Sequence, residues 1–320
     1  MTILLTGADG FIASHIASML SREGYRWRPF EGDITDPIDV MRGLRDVETV
    51  IHTAGITYAP SFFDYPVETM SVNVGGTLNI LRSHKLFERL IFFSTSHIYG
   101  KQTVFPITED AIPHPVDTYS AGKIMCEQSI RVYRDAFHDF HYVILRPFNN
   151  FGSNQNYRFV VPALIKQAFE GSITIRGNTL RELVYVENTV DVIKTLLERP
   201  DVNEQTLNVA INDTRTIAEV AGIIGEYSGK NPTITVEEQS PREADIPKLQ
   251  GSYERIQREL GWTPKYSLEE GLAETVKYYG ERWGYLKTSK KAVDPMGSRH
   301  PKTFSEPITR GVPPELWGID

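Results

Sequence analysis

Cysteine is almost absent from this chain: there is one, Cys126, in 320 residues. A lone thiol excludes an internal disulfide and a cysteine-built zinc site, and it fits a reducing compartment. Long apolar runs are also missing, since no stretch approaches the roughly 18 residues of a membrane span. Residues 1–7 carry no basic segment and reach glycine before a signal core could form. A cytoplasmic protein is the expectation. Cationic charge is in deficit, with 34 Lys+Arg against 41 Asp+Glu and a net charge of −7. That balance argues against nucleic acid or an anionic membrane as the main partner. An anionic ligand must then be held by a few placed cations. No internal repeat is visible, and the length supports one large or two medium domains with a well-buried core.

What is present is an alternation. Ile3-Leu4-Leu5 is short, apolar throughout and ended by glycine, as a buried parallel strand is. The spacing of Phe11, Ile12, Ile16, Met19 and Leu20 predicts a helix over residues 10–22. A second strand is expected at 27–30, then Asp36 and Pro37 as N-cap and first residue of a helix. Further strands are expected at 47–52, 90–93 and 142–145, with helices at 67–84 and 118–137. This is the pattern of an α/β Rossmann fold, a doubly wound parallel sheet with ligands beyond the carboxyl ends of its strands. After residue 150 the alternation loosens, and two capping boxes, Thr216/Glu219 and Ser267/Glu270, each open a helix. We expect residues 1–150 plus about 183–212 to form the cofactor domain. Residues 151–182 plus 213–285 should form a smaller mixed α/β substrate domain, and 286–320 an irregular tail.

Several residues could carry chemistry. Gly7-Ala8-Asp9-Gly10-Phe11-Ile12 lies between a strand and a helix, where glycine allows close approach of a pyrophosphate and the helix N-terminus offers free N–H groups. Glu31, about 20 residues on, can accept from the adenosine ribose hydroxyls of NAD; Arg26 or Arg28 could instead hold a 2′-phosphate, which keeps NADP open. Asp33 could reach the adenine. Tyr119 and Lys123 stand at i and i+4 on one helix face. A neighbouring ammonium favours phenolate, so Lys123 is expected to lower the Tyr119 pKa and make it a usable acid/base. Ser94-Thr95-Ser96-His97 follows a buried strand and puts hydroxyls at the carboxyl edge of the sheet. His138 and His141 have no third ligand motif, so no metal is expected.

Gly7-x-x-Gly10, Asp33, Ser94-Thr95 through Ile98-Tyr99-Gly100, Tyr119-x-x-x-Lys123 and Arg146-Pro147-Phe148-Asn149 stand in one order. Gly177-Asn178-Thr179-Leu180-Arg181 and Pro241-Arg242 continue it. The whole resembles extended short-chain dehydrogenases/reductases, in the branch of nucleotide-sugar epimerases and dehydratases that includes UDP-glucose 4-epimerase-like enzymes, over residues 1–282. The resemblance implies NAD as cofactor and Thr95, Tyr119 and Lys123 as the catalytic set. It also implies a cofactor-side role for Asn73 and a diphosphate held by Asn149, Arg181 and Arg242. The implied partner is a UDP- or dTDP-linked sugar, and a homodimer is expected through the helices of 67–84 and 118–137.

One departure bears on the reaction. Where 4,6-dehydratases of this family carry an Asp-Glu pair after the threonine, this chain has Ser96-His97. The missing carboxylate base counts against ordinary dehydration. His97 is either a substitute acid/base or a hydrogen-bonded structural residue, and Ser96 is left facing the substrate. The expected activity is 4-epimerisation through a transient 4-keto sugar. Reduction or oxidation at C4 with NAD(P)H is the alternative, and dehydration the lesser one.

Overall fold

The computed structural model describes residues 1–57, 61–237 and 246–287. The first half of the chain runs β1 (Thr2–Thr6), α1 (Phe11–Arg22), β2 (Arg26–Pro29), α2 (Pro37–Gly43), β3 (Thr49–His52), α3 (Ser61–Asp64), α4 (Pro66–Met70), a π turn (Ser71–Gly75), α5 (Gly76–Arg82), β4 (Arg89–Phe93) and α6 (Thr118–Phe137). It continues β5 (His141–Pro147), β6 (Asn149–Phe151), α7 (Val160–Glu170), β7 (Ser172–Arg176), β8 (Leu180–Tyr185), α8 (Val186–Glu198), β9 (Gln205–Val209) and β10 (Thr214–Thr216). Last come α9 (Ile217–Ser228), β11 (Thr233–Glu237), β12 (Lys248–Leu249), α10 (Glu254–Leu260) and α11 (Leu268–Arg282).

Six strands form one parallel sheet in the order β2-β1-β3-β4-β5-β9. Its inner strands are apolar on both sides because helices cover both faces. Ile3, Leu5, Ile51 and Ile91 join the cluster that holds Ile16, Met19 and Leu20 of α1 and Val190 and Ile193 of α8. The intervening Leu4, Val50, Leu90 and Phe92 join Val40 of α2, Leu81 of α5 and Ile130 of α6. A one-residue slip in any of these strands would exchange the two sets and leave both cores mismatched.

Where the usual order 3-2-1-4-5-6 has a further strand, none lies outside β2 among the described residues. β2 is therefore an edge, which explains its exposure and its tolerance of Pro29. The Asp36 cap forms as expected, accepting from the Ile38 amide at 2.7 Å.

A second layer grows from the carboxyl side of the main sheet. β8 is flanked by β10 and β12 and also pairs with β6, while β7 and β11 form a separate parallel pair. Phe151, Ile165, Phe169, Leu183, Val220, Ile224 and Leu272 make its own core. β8 pairs within this layer and puts Leu183 in its core, while Val184 joins the core of the main sheet and α8 then packs on α1. Both expected capping boxes are present. Of the expected tail, residues 288–320 lie outside the described residues. No helix among the described residues is long and apolar enough to cross a membrane.

Candidate active site

β1 is the point where strand order reverses, with β2 on one side and β3 on the other, and the crevice there opens at the strands' carboxyl ends. Gly7 turns the chain out of β1 at φ +68°; a Cβ there would stand 2.8 Å from the Ala54 Cα, so only glycine fits. Gly10 is the N-cap of α1, with no side chain capping it and no acid in the first turn. The first amides of α1, including those of Phe11 and Ile12, are thus left for an anion. The floor is pinned from below. Thr6 Oγ1 is 2.8 Å from His52 Nδ1, and His52 Nε2 is 3.1 Å from Thr77 Oγ1. Burial pushes His52 down to about 3, which keeps it a neutral bridge.

The helix expected over 67–84 is interrupted by the π turn, and Asn73 sits in it. Its amide pairs with both backbone groups of Ile56, accepting from N–H at 2.7 Å and donating to C=O at 3.0 Å. Asn73 thereby fixes the segment leaving β3. A Cβ on Gly55 would meet Asn73 Oδ1 at 2.9 Å and Lys123 Nζ at 3.8 Å, which places these groups around one small space.

At the adenosine end Glu31 is exposed just past β2. Asp33 Oδ1 accepts from Thr35 N–H at 2.8 Å and Thr35 O–H at 2.7 Å, leaving Oδ2 for other partners. The two arginines that kept NADP open require correction. Arg26 pairs with Thr2, at the far end of the strand from the crevice. The Arg28 guanidinium donates to the carbonyls of Gly43 and Arg45 at the end of α2.

Thr95 leaves β4 as N-cap of a short 3₁₀ turn, its Oγ1 accepting from the His97 amide at 3.2 Å. Thr95 also stands close enough to the Tyr119 phenol to lower that group's pKa against burial. Tyr119 is held in the first turn of α6 by an Asp117/Ser120 capping box that the sequence reading missed, because serine stands where Glu or Gln is the usual signal. Its ring stacks on Phe62, with centroids 4.7 Å apart and planes 6° from parallel. Lys123 lies one turn on, 5.9 Å from that ring, with Nζ donating to the Phe93 carbonyl at 2.7 Å.

The expected lowering of Tyr119 by Lys123 is not what the structure has. Burial holds the phenol above its ordinary value against the opposing effect of Thr95, and the ammonium's own hydrogen bond goes to backbone. Burial pulls Lys123 below its ordinary value. The chain thus brings Thr95, Tyr119 and Lys123 together, with the proton resting on the phenol.

His97 is half-buried. Burial lowers it, the Asp117 charge raises it and the Arg181 charge lowers it, so it stands between the start of α6 and a strand of the second layer. The buried Ser96 Oγ has no hydrogen-bond partner among the described residues. Arg181 is the second residue of β8, opposite Arg215 of β10 and Leu249 of β12. Asn149, half-buried at the start of β6, follows the arginine of β5 into the same layer. Arg242 lies outside the described residues. Among those residues no three of His, Cys, Asp and Glu gather as a metal would need.

Sequence reasoning missed what holds the site still. Glu127, one turn beyond Lys123 and almost wholly buried, receives a two-pronged Arg146 guanidinium at 2.9 and 2.7 Å and the Ser94 hydroxyl at 2.6 Å. Arg146 also donates to Tyr99 Oη at 2.9 Å, and the Tyr99 hydroxyl donates to Asn208 Oδ1 at 2.6 Å. Thr95 is thus fastened on both sides, at Ser94 and at Tyr99, to the carboxylate that also anchors the helix of Tyr119. The i+4 spacing of Lys123 and Glu127 was the available signal. Its partner Arg146, on another strand, could not be chosen from sequence.

The NAD dependent epimerase/dehydratase family matches residues 3–210 of this chain. The GDP-6-deoxy-D-talose 4-dehydrogenase of Aggregatibacter actinomycetemcomitans is 30% identical, over 82% of this chain and 92% of that protein. The GDP-6-deoxy-D-mannose reductase of Pseudomonas aeruginosa is 26% identical, over 84% of this chain and 94% of its own. Among solved structures, the UDP-glucose 4-epimerase of Thermotoga maritima with UDP-glucose superposes with a TM-score of 0.82 at 28% identity, over 88% of this chain and all of that one.

Proposed function

This chain belongs to the NAD-dependent epimerase/dehydratase family, and from that premise we propose that it is a nucleotide-sugar 4-epimerase. The observation that carries the reading is the meeting of Thr95, Tyr119 and Lys123 at the carboxyl edge of β4, across from the glycine turn of β1. NAD, when bound, supplies the acceptor and then the donor of a hydride. Gly7, Gly10, Phe11 and Ile12 would take its pyrophosphate, Glu31 and Asp33 its adenosine, and Asn73, Tyr119 and Lys123 would border its nicotinamide end. The uncapped first amides of α1 fit the pyrophosphate of such a ligand.

The chain's own groups do the proton work. Tyr119, once its own proton has left to solvent, would take the proton of the sugar C4 hydroxyl and return it as hydride comes back, and Thr95, which acts on that phenol, would orient the same oxygen. Lys123, 5.9 Å from the phenol ring, would supply a cation favouring the phenolate from which that step starts. Asn149 and Arg181, with Arg242 by sequence, would hold the diphosphate of a UDP- or dTDP-linked sugar. Ser96 and His97 then border the sugar with a hydroxyl and an imidazole in place of two carboxylates, which favours epimerisation over dehydration. Similarity to the GDP-6-deoxy-sugar reductase and 4-dehydrogenase supports a second reading, net reduction or oxidation at C4.

Incubation with NAD⁺ and a panel of UDP-, dTDP- and GDP-hexoses, followed by proton NMR, tests the proposal. A C4-epimeric product is expected; a panel left untouched contradicts it.

We place a homodimer on the adjacent helices α4, α5 and α6, where Val67 is 75% exposed, Met125 50% and Val132 62%. A homodimer through these helices would cover those exposed apolar side chains. Sedimentation showing only monomer overturns this assignment.

A further inference from the structure

Glu182 follows Arg181 on β8 and is wholly enclosed, yet it takes no part in the chemistry at Tyr119. A carboxylate shut away to that degree must be given donors. Three backbone amides supply them: Oε1 accepts from Ile211 and Asn212, the latter at 2.8 Å, and Oε2 accepts from Gly251. Burial pushes the carboxyl up to about 7 against these amides, which favour its charge.

All three donors come from outside β8. Ile211 and Asn212 leave β9, the last strand of the main sheet, and Gly251 follows β12. Gly251 is itself set into the main body. A Cβ there would stand 2.4 Å from the Phe148 ring and 2.9 Å from the Ala210 Cβ, and the neighbouring Gln250 carbonyl and Ser252 amide both bond Ile107. One side chain thereby ties the second layer to the exit of the main sheet.

Successive side chains of a strand point to opposite faces. Arg181 is in register with Arg215 and Leu249, and Glu182 with Thr214. With Glu182 fixed on one face, Arg181 is presented on the other, and its charge reaches His97, two residues beyond Thr95. Resting on the reading of Arg181 as a diphosphate ligand, we infer that Glu182 is a positioning residue for the sugar nucleotide, its latch of three amides setting where Arg181 stands relative to β4 and so how the diphosphate is gripped. The carboxylate touches neither substrate nor cofactor and acts only through Arg181.

The probe is whichever of UDP, dTDP and GDP binds full-length wild type most tightly. Titration calorimetry at about pH 8, where the carboxyl is mostly ionised, measures it on wild type, Glu182→Gln, Arg181→Ala and the double variant, with NADH titrated into each as a control on the fold and the cofactor site. A glutamine amide turns an NH₂ toward at least one of the three N–H groups. The inference expects probe affinity about tenfold or more lower in Glu182→Gln, with NADH affinity within about twofold of wild type. The double variant should bind the probe as Arg181→Ala does, since a residue acting through another adds nothing once that one is gone. Probe binding unchanged in Glu182→Gln, NADH affinity falling in step with it, or a double variant weaker by the product of the single losses overturns the inference and leaves the diphosphate reading standing. An Arg181→Ala protein that binds the probe as wild type does, or a wild type that binds none of the three nucleotides, overturns the diphosphate reading and the inference with it. Should Glu182→Gln not fold, hydrogen exchange of the wild type decides: slowing by about threefold or more at residues 211, 212 and 251 on saturation with the probe supports the latch, and unchanged exchange there overturns it.

Discussion

Replacing Glu127 by leucine should damage this protein more than any exposed change near the site. The carboxylate is almost fully enclosed, and its loss leaves the Arg146 guanidinium buried with only Tyr99 Oη and the Glu109 carbonyl as acceptors. Breaking a buried ion pair on one side costs about 3–5 kcal/mol, because the remaining charge stays desolvated. Spread over the unfolding entropy of a chain this long, that is a fall in melting temperature of roughly 5–8 °C. Removing both charges, with Glu127→Leu and Arg146→Met together, should recover more than half of the loss, since a matched apolar pair is often neutral.

Calorimetry and urea unfolding of the two single variants and the double variant give the comparison. The pair also carries a pH signature. Burial alone would raise Glu127, yet Arg146, Ser94 and Arg131 hold it below its ordinary value. Its contribution is therefore complete above pH 4.5 and is lost as pH falls through the lower folded value, so wild type and variant should converge in acid. A single variant costing under about 1 kcal/mol, or a double variant worse than either single, would refute the role given to the pair.

Other expectations follow from single positions. Gly7→Ala forces a Cβ against the Ala54 backbone at positive φ, and should cost about 1–2 kcal/mol of stability along with most NADH affinity; unchanged binding by fluorescence titration contradicts the cradle. With Arg26 and Arg28 turned elsewhere, the protein should prefer NADH to NADPH, and Glu31→Ala should narrow that preference about tenfold; titration of both nucleotides decides it. His52, pushed down to about 3 from 6.5, must be neutral when folded. Its unfolded form binds the extra proton, so it should withdraw about 1.4 kcal/mol of stability per pH unit as pH falls from 6.5 toward 3. Unfolding of His52→Asn against wild type across that window should show a shallower slope; equal slopes would falsify the assignment.

Much of this architecture is legible because it is local. The apolar strands, the α1 stripe, the Asp36-Pro37 start, the whole of α6 and both Glu-type capping boxes depend on residues within a few positions of one another. The pairing of β7 with β11 was not legible, since about sixty residues separate two strands whose alternation is brief. The π turn is set by Asn73 reaching Ile56, a contact that has no sequence period. The site divides in the same way. Motif order located Gly7, Thr95, Tyr119 and Lys123, whereas their electrostatics came from burial and from Phe93, Glu127 and Arg146, which lie on other elements. That is why Tyr119 was expected below its ordinary value and is found above it.

The most direct test of the central claim follows the hydrogen at C4. A nucleotide hexose found active in the panel, carrying deuterium at C4, is mixed with the protein and NAD⁺ in one turnover, alongside Tyr119→Phe. Deuterium retained at C4 of the epimeric product with wild type, and a rate lower by about 10²–10⁴ in the variant, is the predicted result. Deuterium that exchanges into water, or a Tyr119→Phe variant as fast as wild type, contradicts hydride transfer at C4 with Tyr119 as its acid and base.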